Sequence, residues 1–173
     1  MLITDQVTPH FSARELAGRS GIPQDPEVAK NLIRLATTLL EPGRGEWAQH
    51  LQVDNLGGSP AWTIIDAYRS DAVNTEVGGA SQSQHPKGRA ADVCCDVDWR
   101  ALRDGRGTDR DAKRMQDFAT WLTKYVYQGD AAGGIGIYTE KHTGQLYWVH
   151  IDIRPRVNGH IAAWTGHHVG SEQ

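Results

Sequence analysis

Between Leu146 and Ile153 apolar and polar positions alternate with a period of two, the pattern of a half-buried strand. Tyr147, Val149, Ile151 and Ile153 make one apolar face, and Trp148, His150, Asp152 and Arg154 share the other. An aromatic ring, an imidazole, a carboxylate and a guanidinium on one strand face form a functional wall rather than packing. Residues 62–66, 90–97 and 134–138 read as three more strands, the last joined to Leu146–Ile153 by a turn through His142-Thr143-Gly144. Along 90–97, Asp92, Cys94 and Asp96 face one way, with Val93, Cys95 and Val97 behind. If the strands of Asp92 and His150 are neighbours, these two side chains converge.

Elsewhere the period lengthens to that of a helix. Ser12-x-x-Glu15 is a capping box that opens a short helix, and Asp25-Pro26-Glu27 combines a cap, a proline and an acid at a second helix start. Val28, Leu32, Leu35, Ala36 and Leu39 then recur at helical spacing, and Pro42-Gly43 is predicted to end the run. From Gly43 to Pro60 the glycines and the lack of any period predict a loop. Ser70 or Asp71 caps a short helix ending at Gly78-Gly79. Residues 109–127 read as a helix with Met115, Phe118, Leu122 and Val126 on its apolar side. With no repeat, linker or low-complexity segment, the expectation is one α+β domain over 1–173.

Composition narrows the classes of function. A chain of 173 residues has room for one real core and little more. Its formal net charge of -3 gives no electrostatic reason to bind nucleic acid or an anionic membrane. No apolar run approaches the ~20 residues that span a bilayer, so membrane insertion is not expected. Met1-Leu2-Ile3-Thr4-Asp5-Gln6 lacks the basic and apolar parts of a signal peptide, so synthesis in the cytoplasm is expected. Cys94 and Cys95 are adjacent and cannot build a disulfide framework. Their apolar setting favours buried, reduced thiols over metal ligands.

The candidate chemistry lies in Ser83-Gln84-His85-Pro86-Lys87-Gly88-Arg89-Ala90-Ala91-Asp92 and in His150. Gly88 permits the unusual backbone angles of a tight turn, and Ala90 leaves space beside a metal. His85, Asp92 and His150 together offer three nitrogen and oxygen donors. Hydrolytic zinc sites commonly use that number and keep a fourth position for water. Zinc is expected from ligand type, although two imidazoles and a carboxylate also accept other divalent ions. His10, His50, His142, His160, His167 and His168 read as surface or satisfied core residues. No His-Glu-x-x-His helix, Cys-x-x-Cys pair, Gly-x-Ser-x-Gly elbow or phosphate-binding loop competes.

Ser83 to Asp92, with Trp148-Val149-His150-Ile151-Asp152, resembles the zinc D-alanyl-D-alanine carboxypeptidases and related peptidoglycan peptidases. The likeness is greatest to their short, single-domain branch common in bacteriophages. Phe11-Ser12-Ala13-Arg14-Glu15-Leu16, Asn31 to Leu35, Tyr68-Arg69-Ser70, Val77 to His85, Gly134 to Tyr138 and Trp164 follow the same order, over roughly residues 8–165. The resemblance implies a small antiparallel sheet with helices packed around it and a zinc site on the sheet face. It implies that His85, Asp92 and His150 bind zinc, and that Arg69 contacts substrate and stabilises charge on the scissile carbonyl oxygen. The plainer alternative for Arg69 is a surface ion pair. Ser83 and Gln84 would line the substrate pocket, with Trp148 on its wall. The implied reaction is hydrolysis of a peptide bond in the peptidoglycan stem, by a D,D-carboxypeptidase or an endopeptidase. A phage lysis enzyme (endolysin) or a virion component that acts on the cell wall fits that description.

Two departures bear on mechanism. Better-studied relatives place a Glu, as general base, three residues before the last metal His, where this chain has Tyr147. Asp152 then becomes the candidate base, because it shares a face with His150; its competing role is to hold an imidazole in orientation. Glu140 is a third option. Asp66-Ala67 also stands where the family usually has a small hydroxyl residue and a glycine, and the 43–60 segment is longer than usual. A rival reading follows from the missing Glu: a module that holds zinc and wall peptide without cutting. A structural zinc domain is less favoured, since such sites close with four protein ligands, often Cys.

Overall fold

The computed structural model describes residues 6–168. Residues 1–5 of the stretch inspected for a targeting signal, and the side chain of His168, lie outside the described residues. Five strands, β1 (Thr63–Asp66), β2 (Ala90–Cys94), β3 (Gly134–Glu140), β4 (Leu146–Asp152) and β5 (Ala162–His168), form one sheet in the order β1-β2-β4-β3-β5. The pairs β1/β2, β2/β4 and β4/β3 are antiparallel. β5 joins the far edge parallel to β3, so the sheet is mixed rather than wholly antiparallel. Ala162-Ala163-Trp164-Thr165-Gly166-His167-His168 has no strong strand propensity of its own, and its ladder to β3 makes it a strand. The α+β class holds.

Helix starts follow their caps. In α1 (Ala13–Ala17) Ser12 Oγ accepts from the Glu15 N–H, while the Glu15 carboxylate accepts from the Ser12 N–H at 2.8 Å. In α2 (Pro26–Leu35) Asp25 accepts from the Glu27 N–H. The expected stop at Pro42-Gly43 does not occur. A π-helical segment, Ala36–Leu40, carries the chain directly into α3 (Glu41–Val53), and the Glu41 N–H bonds the Ala36 carbonyl five residues back. This register shift restarts the helix, so Pro42 falls in a first turn, where a missing N–H costs little. Gly43 is buried, and a Cβ there would lie 2.8 Å from the Trp62 ring. It is a contact glycine, not a loop glycine. Ser70 caps α4 (Asp71–Glu76), Asp98 caps the unpredicted α5 (Trp99–Arg103), and Thr108 opens α6 (Asp109–Gln128) with a second capping box.

One face of the sheet supplies Val93, Ile135, Val149 and Ile151 to a core shared with Met115, Phe118, Leu122 and Val126 of α6. Trp47 of α3 is fully buried and meets Phe118 edge-on, with centroids 5.3 Å apart. Cys94 and Cys95 are free and buried; burial pushes the Cys94 thiol up to about 12 and raises that of Cys95 as well. Neither is a thiolate at neutral pH, as their apolar setting implied. Among the described residues, no helix is long and apolar enough to cross a membrane.

Candidate metal centre

The other face of the sheet carries a row that crosses all five strands. Register places Asp66 opposite Asp92, Asp92 opposite His150, His150 opposite Gly136, and Gly136 opposite Trp164. A Cβ at Gly136 would lie 2.5 Å from the Trp164 indole. The missing side chain lets that indole lean across, and its ring centroid is 5.1 Å from that of His150. Gly134 makes the same kind of room for the Asp152 carboxylate. The Gly-x-Gly pattern of β3 thus clears the floor on which the polar residues of β4 stand.

His85 reaches the row from the turn that precedes β2. Gly88 closes this turn with φ of 65°, and its N–H bonds the His85 carbonyl at 3.0 Å. The turn rests on α2, where Asn31 Nδ2 donates to the Lys87 carbonyl at 3.0 Å.

Three donor atoms converge here. His85 Nε2 is 3.2 Å from His150 Nδ1 and 3.3 Å from Asp92 Oδ1, and His150 Nδ1 is 2.9 Å from Asp92 Oδ1. The remaining ring nitrogens are engaged elsewhere. His85 Nδ1 lies 2.5 Å from the Ala67 carbonyl, and His150 Nε2 lies 3.2 Å from Asp152 Oδ2. A carbonyl and an ionised carboxylate only accept, so each of these nitrogens carries the proton. With both rings neutral, two imidazole lone pairs and a carboxylate oxygen face one another, an arrangement that calls for a cation. A tetrahedron with metal–ligand bonds of about 2.0–2.1 Å has edges of about 3.3 Å, which matches the triangle. All three residues are buried, and they form the one such cluster among the described residues. The donor set fits zinc.

Charge is arranged to the same end. Burial alone opposes ionisation of Asp92, but the His85 and His150 rings hold its carboxyl far below the ordinary range. Burial likewise disfavours a charged His150, yet Asp152 and Asp92 on its two sides raise its pKa. Asp152 is fully buried, and hydrogen bonds from His150 and Arg154 outweigh burial and bring it down to about 2. Its oxygens are taken by His150 Nε2 and by Arg154, whose Nε donates at 2.8 Å. Asp152 thus sits at the ring nitrogen away from Asp92, in the position of a group that orients the imidazole.

A cleft of about 720 Å³ opens over the cluster. Arg69, Ser83, Gln84 and Trp148 all line it, together with Asp66, Trp99, Arg103, Tyr138, Arg154, Trp164 and His167. Ser83 Oγ accepts from the His85 N–H, and Gln84 Nε2 donates to the Gln82 carbonyl. Trp148 stacks on Tyr138 with centroids 5.4 Å apart. Arg69 is not a surface pair: its Nη2 donates to Asp92 Oδ2 at 2.5 Å and its Nε to Asp66 Oδ2 at 2.6 Å. Tyr147 is buried and absent from the lining. Glu140 caps its turn by accepting from the His142 and Thr143 N–H groups, away from the cleft. His167, read from sequence as an ordinary surface or core histidine, lines the cleft, with Thr139 Oγ1 3.1 Å from its Nδ1. Trp99 and Arg103 also went unforeseen; the Asp98 cap was the one signal for the helix that carries them.

Comparison with known proteins agrees with this geometry. A family model described as Peptidase M15 matches residues 9–116, more than half of the chain, taking in Arg69, His85 and Asp92 and ending before His150. No curated protein matches the chain. The chain therefore belongs to the Peptidase M15 family of zinc-dependent peptide-bond hydrolases.

Proposed function

We propose that this chain, as one zinc-peptidase domain, hydrolyses a peptide bond in the stem peptides of bacterial peptidoglycan. The observation that carries the reading is the convergence of His85 Nε2, Asp92 Oδ1 and His150 Nδ1 beneath an open cleft. These three atoms would hold zinc, beneath the cleft in which a peptide would lie. Bound there, zinc would supply a Lewis acid for a peptide carbonyl and for a water. Ala67 and Asp152 fix the two imidazoles so that each presents one lone pair. Arg69 ties down the outer oxygen of Asp92, leaving the inner one as a single donor, and places a guanidinium where negative charge develops on the carbonyl oxygen. Ser83, Gln84 and Trp148 line the path of the peptide, and Asp152 orients His150.

The bond is either the terminal D-Ala-D-Ala link or an internal link of the stem. The resemblance to the short phage branch supports a lysis or virion role at the wall. One observation favours a second reading, a zinc-holding wall-binding module. Tyr147 is buried where relatives have a general base, and among the described residues Asp66 is the only carboxylate in the cleft lining apart from the ligand Asp92.

Digestion of purified peptidoglycan by zinc-loaded protein, read by mass spectrometry beside His150→Ala, separates these readings. Loss of a terminal alanine identifies a carboxypeptidase, and split stems or crosslinks identify an endopeptidase. Zinc bound without any new product would move the assignment to the binding module.

A further inference from the structure

Asp66 and Asp92 face each other on β1 and β2. Two like charges directly opposed on a sheet repel unless a cation lies between them. Arg69 is that cation, with Nε on Asp66 Oδ2 and Nη2 on Asp92 Oδ2. The Arg69 and Asp66 side chains are only 14% and 17% exposed, and Asp92 only 6%, so water screens the group weakly. A guanidinium is a rigid planar fork, so seating Nε on one carboxylate decides where Nη2 points.

We infer that Asp66 is a positioning residue of the metal centre: it seats Arg69 against the outer oxygen of Asp92 and offsets the pull of the guanidinium on that carboxylate, leaving Asp92 Oδ1 an anionic donor for a divalent cation. Asp66, Arg69 and Asp92 together carry one net negative charge. Without Asp66 they carry none, and the guanidinium and a bound cation compete for one carboxylate. The inference rests on the ligand set proposed above.

Zinc affinity by chelator competition tests it, comparing the unsubstituted chain with Asp66→Asn, Asp66→Ser and Asp66→Glu. Asn keeps the shape and loses the charge; Glu keeps the charge and changes the shape. The expected order is Asp tightest, Glu next, and Asn and Ser weakest, with Asn weaker than Asp by on the order of tenfold. Should Asn fail to fold, Ser carries the same comparison. A role in packing alone exchanges the two variants, with Asn close to Asp and Glu the weakest, and that order overturns the inference. Zinc bound equally well by Asp and Asn also overturns it while leaving the ligand set standing. No zinc uptake by the unsubstituted chain overturns both.

Discussion

Asp92 on β2 faces His150 on β4, and Oδ1 of the first lies 2.9 Å from Nδ1 of the second. Backbone register sets this meeting, so both donors inherit the rigidity of a sheet interior. His85 comes from a turn and needs other supports: the Ala67 carbonyl at its ring, and α2 beneath Gly88. The expected sensitivities follow from that difference.

Gly88→Ala should damage the site through the backbone. The residue has φ of 65°, and an added Cβ would lie 2.5 Å from the Val28 carbonyl oxygen of α2. We expect a loss of more than about 1 kcal/mol in denaturant unfolding of the metal-free chain, together with weaker zinc binding as His85 shifts. Unchanged stability would count against the close approach of turn and helix.

Asp152→Asn distinguishes an orienting carboxylate from a general base. Asn keeps the shape but loses the charge that holds the His150 N–H, so zinc affinity should fall by roughly 10–100-fold in chelator competition. A base that does not orient the ring would show the reverse: unchanged affinity and lost turnover.

The proton and the metal compete for His150. Its pKa in the folded, metal-free chain is raised above the ordinary 6.5, because Asp152 and Asp92 flank it against the opposing effect of burial. A raised pKa stabilises the fold fully below 6.5, and the contribution disappears as pH rises through the raised value. Zinc requires the ring without that proton, so zinc addition should release protons, and affinity should climb with pH through the same window. Asp152 has the opposite sign: lowered from 3.8 to about 2, it stabilises above 3.8, and its contribution is lost as pH falls toward about 2. Thermal melts of the metal-free chain across pH, with proton release measured in weak buffer, check both signs.

The period of two put Asp92 and His150 each on a definite strand face, so their meeting was legible on condition that the two strands pair, as β2 and β4 do, and His85 followed from the small residues around Gly88. What escaped depended on partners distant in sequence. Pro42-Gly43 carries the local chemistry of a helix stop, and only the π-helical shift and the contact of Gly43 with Trp62 make it helix interior. β5 exists through its ladder to β3, so the place of Trp164 beside His150 had no local signal. Asp66 was visible as an unusual residue, but its bond to Arg69 depends on the bulge that brings Asp66 opposite Asp92.

Zinc content per chain, measured after loading and removal of excess metal, in the unsubstituted protein and in His150→Ala, tests the metal centre most directly. The ligand assignment predicts one zinc per unsubstituted chain and almost none in the variant. An unsubstituted chain that takes up no zinc, or a folded His150→Ala chain that retains a full equivalent, would contradict it.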